Sequence, residues 1–256
     1  MKKAIVLAAL LLSTALSACA QQTGIEGGFA FKIIDNGTAV EITMYRAENT
    51  DVHIPDRIRN LPVTHIGEWA FAEKRLASVN LPDSVTHIGN RAFWGNELTG
   101  VNIPKSVMYI GSFAFYDNQL AGVIIPNSVT YIGGGAFELN ELTSISIPDS
   151  ITSISASLFQ DNQLTNISIP NSVTSISMFA FAGNQLVTVT IPDSVTEIGF
   201  EAFMNNQLTS VNIPDSVTHI IDRAFTRNKL TSVSVPIGAS AIHWRAFDPG
   251  VTVTRR

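Results

Sequence analysis

The chain has 256 residues, 45% of them apolar and only 14% charged, with 16 basic and 21 acidic side chains for a formal net charge of −5. The apolar share excludes a disordered chain, and an acidic balance without a basic stripe removes the counterion-release drive on which nucleic-acid binding depends. So few charges among many Ser, Thr and Asn also argue against an enzyme cleft dense in titratable groups, in a length that admits one large domain or two small ones.

Met1-Lys2-Lys3 gives a positive start, followed by apolar Ala4 to Leu12 and small residues through Ala18. This pattern predicts a secretory signal peptide over residues 1–18, since the run is shorter than the roughly 20 residues that span a bilayer. Without Lys2 and Lys3 the balance is 14 basic to 21 acidic, a net −7. Leu16-Ser17-Ala18-Cys19 resembles the lipobox of bacterial lipoproteins. That resemblance implies cleavage before Cys19 and lipid attachment there, so the chain would meet a membrane through its N-terminal lipid only. Cys19 is the single cysteine, so no internal disulfide can form, and acylation would remove an exposed thiol. The same resemblance, with Ala20 where an Asp would mark inner-membrane retention, implies the outer membrane and the cell surface. Residues 19–28 read as a mobile tether.

Residues 29–53 are expected to form an N-terminal β cap. Phe29 to Ile34 and Thr38 to Tyr45 are β-rich runs joined by Asp35-Asn36-Gly37, a strong hairpin signal. From Ile54 to Phe247 the chain repeats one motif about nine times. Phe71, Phe93, Phe115 and their successors to Phe247 are spaced by 22 residues, and the prolines from Pro82 and leucines from Leu76 keep the same period. The consensus A-F-x-x-N-x-L-T-S-V-x-I-P-x-S-V-T-x-I-G predicts a β-dominant repeat solenoid of the leucine-rich-repeat kind. The first repeat carries five extra residues between Ile54 and Gly67.

Within a repeat, Val101 and Ile103 face inward while Asn102 points out, and Pro104 ends the strand. Gly89 permits a turn, and Asn90 to Phe93 is long enough for one helical or 3-10 turn only. Asn96, Asn118, Asn140, Asn162, Asn184, Asn206 and Asn228 follow that turn and stack as a structural ladder. Residues 248–256 form a C-terminal cap, with Val251 to Val253 as a last strand.

The segment L-P-D-S-V-T-H-I-G-N-R-A-F at 81–93, repeated with substitutions at 213–225, resembles the BspA-like leucine-rich-repeat surface proteins of bacteria. Leu61 to Gly67 looks like the entry segment of that family, and the resemblance covers about residues 29 to 247. It implies adhesion to host matrix proteins, epithelial cells or other microbes, but brings no fixed binding motif.

No catalytic motif appears: H-E-x-x-H, G-x-S-x-G and the P-loop are absent, and no second cysteine completes a redox or zinc pair. No cofactor is implied. His65, His87, Tyr109 and Tyr131 share one column on successive repeats, about 5 Å apart. The tyrosines are poor divalent ligands, so no metal site is expected there. Amphipathic rings suit protein or sugar contacts instead. Asn80 and Asn102 head the outward column of the other strand, which continues through Ile124 and Ser146. The expected function is non-enzymatic: a cell-surface lipoprotein adhering to extracellular or host proteins. Glycan capture by the His/Tyr column is the second reading, and an enzyme the third.

Overall fold

The computed structural model describes residues 22–256. The signal peptide, Cys19 and Ala20 lie outside the described residues. Residues 23–26 are not a tether but a strand, β1 (Thr23–Glu26), antiparallel to β2 (Phe29–Ile34). Gly27 and Gly28 take φ of 55° and 86°, the double left-handed turn that closes a two-residue hairpin. Across Asp35–Gly37, where Asn36 has φ 55°, β2 pairs antiparallel with β3 (Ala39–Tyr45). Phe29, Phe31, Val40, Ile42 and Tyr45 are buried on the face that meets the first repeat.

The solenoid starts slightly earlier than the sequence predicts. β4 (Asp51–His53) already lies parallel to Ser78–Asn80, with His53 opposite Asn80, so it belongs to the repeats and not to the cap. The five extra residues make a tight hairpin of β5 (Arg57–Ile58) with β6 (Leu61–Ile66), turned by Arg59 and Asn60 at φ 49° and 61°. β6 then pairs parallel with β3, placing Ile42 beside Ile66.

From there two ladders of short parallel strands run along the molecule in a 22-residue register. One joins β6, His87–Ile88, Tyr109–Ile110 and Tyr131–Ile132, and resumes from Ser153–Ile154 to Ala241–Ile242. The other joins Val101–Asn102 to Val123–Ile124 and continues as single bridges from Ile124–Ser146 to Thr190–Asn212. At the end Thr252–Arg255 lies parallel to Ser232–Val235. Between the ladders the phenylalanine column stacks ring on ring, with centroids 5.1 to 6.0 Å apart. All but the last ring, Phe247, are fully buried.

The turn after the second strand is not a helix. It consists of two consecutive i→i+3 turns, such as Ala70 N–H to Gly67 O and Ala72 N–H to Trp69 O. Trp69, Arg91, Phe113, Gly135, Ser157, Phe179, Glu201 and Arg223 all have positive φ, which interrupts any right-handed run. A second such column precedes the asparagines and includes Asp117, Leu139 and Asp161. The asparagines themselves therefore do not take the left-handed conformation. The Gly67 column does not either: a Cβ on Gly133 would come within 2.3 Å of the Ser112 nitrogen, so glycine is there for close backbone approach.

Candidate recognition surface

The His/Tyr column comes together as a stack. His65 and His87 lie 4.3 Å apart and nearly parallel, His87 and Tyr109 5.8 Å, and Tyr109 and Tyr131 4.9 Å. Nδ1 of His65 and of His87 each sits 2.9 Å from the hydroxyl of the preceding threonine, Thr64 or Thr86. Burial, then the neighbouring His87, push the His65 pKa below the ordinary imidazole value. Burial raises the Tyr109 phenol, helped by Tyr131. The inner rings face one another, and Tyr131, 47% exposed, ends the stack, with Ser153 on the next repeat. Parallel imidazoles do not converge their nitrogen lone pairs on a point, and among the described residues no three His, Cys, Asp or Glu could hold a metal ion together.

The opposite ladder presents a shallow furrow. Asn80 and Asn102 line a hollow of about 650 Å³ with His53, Arg57 and Asp83 beside the β5–β6 hairpin. Asn102 also borders the next hollow, about 660 Å³, beside Ile124 and Ser146. Gly100 and Gly122 make that space: a Cβ on either would meet nothing within 4 Å. Ile124 stands in it 82% exposed, an apolar side chain in a column otherwise of Asn, Ser and Thr. The odd isoleucine is the sequence signal for this anchor.

Sequence reasoning missed the turn edge altogether. Arg91 lies over Trp69 and over Phe113, 5.0 and 5.1 Å from their ring centroids, and Trp94 stacks on Tyr116 at 5.8 Å. Next along, half-buried Glu138 is pushed up to about 7, first by desolvation and then by the Asp161 charge. The asparagine ladder is internal. Asn140 Nδ2 donates to the carbonyls of Phe115, Phe137 and Glu138, while its Oδ1 accepts from Leu120 N–H at 3.1 Å. Each such side chain thus serves its own repeat and the preceding one.

A parallel-strand ladder at a 22-residue register, with inward Phe, Leu, Val and Ile and internal Asn, is the signature against which known families can be set. The BspA type leucine-rich repeat region, in six copies, matches residues 44–165 and again 152–250. The chain belongs to this family. Among solved structures, a leucine-rich cell surface protein from Faecalibacterium prausnitzii is 27% identical with a TM-score of 0.71, over 91% of this chain and 76% of that one. A leucine-rich repeat protein from Bacteroides ovatus shares the fold at 20% identity and TM-score 0.52, covering 91% and 78%. The pneumococcal vaccine antigen PcpA does so at 15% and 0.50, covering 91% and 88%. A comparison with curated proteins finds no match. The BspA-type matches are to a binding scaffold and not to an enzyme family, and no helix among the described residues is long and apolar enough to cross a membrane.

Proposed function

We propose that this BspA-type chain is a lipid-anchored protein of the cell surface that adheres to extracellular proteins, of a host or of other microbes, through the furrow running from His53 past Asn102 to Ser146. The observation that carries the reading is Ile124, an exposed apolar anchor set between small polar neighbours and open space. Interfaces are built that way, with a few anchors filling pockets inside a polar rim. The furrow covers five stacked positions, and the ladder that carries it continues to Asn212, eight positions counting from His53; at about 4.8 Å each these make a face roughly 35 Å long, enough for the ~800 Å² per partner of a standard interface. The relative from Faecalibacterium prausnitzii, described as a cell surface protein, supports the location. The lipobox at Cys19 supports the anchor, and Ala20 an outer-membrane site.

One experiment separates anchor from face. Cells expressing the full chain are applied to surfaces coated with matrix proteins. Cys19→Ser should release the chain and abolish adhesion. Ile124→Asp should leave the chain on the cell and reduce adhesion by about tenfold, the loss of roughly 1.4 kcal/mol. A chain that stays membrane-bound as Cys19→Ser refutes the anchor, and undiminished adhesion with Ile124→Asp refutes the face.

A further inference from the structure

The C-terminal end of the solenoid holds a cavity of about 820 Å³, open on one side, where the last two turns meet the final strand. Its volume lies in the range of small-ligand sites, about 300–1,000 Å³. Trp244 lines it while 82% exposed. The equivalent positions in the first four repeats are Glu68, Asn90, Ser112 and Gly134, so the repeat does not require an indole there. Arg245 lies over the ring, 5.1 Å from a centroid, and the His243 ring lies 5.8 Å away, tilted by 31°, yet most of the indole stays exposed.

The rest of the lining is largely apolar, and four arginines supply most of its charge. Arg223 pairs with Glu201 at 3.1 Å, and Arg245 makes a two-point pair with Asp222, both carboxylates outside the cavity wall. Arg255 donates to the Ala239 carbonyl. The one carboxylate in the wall, Asp248, is spent on the backbone N–H groups of Arg227 and Asn228, at 2.9 and 3.1 Å. Arg227 is exposed, and among the described residues its guanidinium has no carboxylate within ion-pair distance.

We propose that this cavity binds a carboxylate-bearing sugar of the uronic or sialic acid type. The exposed indole suits the C–H face of a sugar ring, and Arg227 offers the planar fork that binds a carboxylate by two hydrogen bonds. A wholly apolar acid would leave the Arg227 donors that its carboxylate does not engage without acceptors. A hydroxylated one supplies them.

Calorimetric titration of the full chain tests this, with a glucuronate-containing tetrasaccharide and with sialyllactose, each beside its carboxyl-reduced counterpart. At least one acidic sugar should bind with a single site and weaken as salt rises from 50 to 500 mM. Its reduced counterpart should bind at least tenfold more weakly. Arg227→Gln and Trp244→Ala should each weaken binding about tenfold, and Trp244→Phe should recover most of the loss. Both side chains are exposed, so an unchanged melting temperature verifies the fold of each variant. No heat from either acidic sugar up to about 10 mM, equal binding of the reduced form, or unaltered binding by both variants overturns the assignment.

Discussion

Glu138 holds its proton close to neutrality because its carboxyl is half-buried beside Asp161, and the same cluster raises the Tyr116 phenol after desolvation. A carboxyl pushed from 4.5 to about 7 binds its proton more tightly in the folded chain than in the unfolded one. Its contribution to stability is therefore complete below pH 4.5 and lost as pH rises through about 7. With solvent screening of a half-exposed group allowed for, the loss is on the order of 1 kcal/mol. Glu138→Gln should gain that amount in urea unfolding at pH 8 and gain nothing at pH 4. Equal stability of the two chains at pH 8 would show that the carboxyl is not strained by its surroundings. Nothing in the sequence marks Glu138, since the column holds Trp94, Tyr116 and Gln160 on neighbouring repeats, and only the fold brings Asp161 to it.

At the scale of the repeat, the asparagine ladder ties each turn to the one before it. Asn162 Nδ2 donates to Phe137 O at 2.9 Å and also to the Phe159 and Gln160 carbonyls, and its Oδ1 accepts from Leu142 N–H at 3.0 Å. Asn162→Ala would bury an unpartnered amide and an under-satisfied carbonyl, costing about 2–4 kcal/mol. Urea unfolding at unchanged m-value measures it, and a loss below about 1 kcal/mol would mean that water replaces the side chain. The strands, the inward Phe and the Asn positions were legible because a strict period leaves each residue only one neighbour, its own copy. The turn geometry was not. Trp69, Arg91 and Phe113 have side chains that disfavour positive φ, and packing against adjacent repeats holds them there. β1 could have been found, because Gly27-Gly28 between alternating residues is a hairpin signal that the reading as a tether passed over.

Over the whole molecule, nearest-neighbour stacking separates stability from recognition. The Phe column and hydrogen-bonded ladders hold the repeats together, while Ile124, Trp244 and Arg227 stand outside them and can be changed without touching the core. The His/Tyr stack was legible from register alone. The furrow was not, because a glycine reads as a weak strand residue until the emptiness beside Gly100 and Gly122 is seen. The C-terminal cavity joins residues from Met204 to Arg255 and has no contiguous signature at all. What the exposed face recognises is tested most directly by binding of the purified full chain to matrix glycoproteins, native and enzymatically deglycosylated, at equal density on one sensor. With the acidic-sugar cavity disabled by Trp244→Ala, which lies outside the furrow, protein-directed adhesion through the furrow predicts equal binding to the two surfaces. Binding to the native form alone, or to neither, would contradict it.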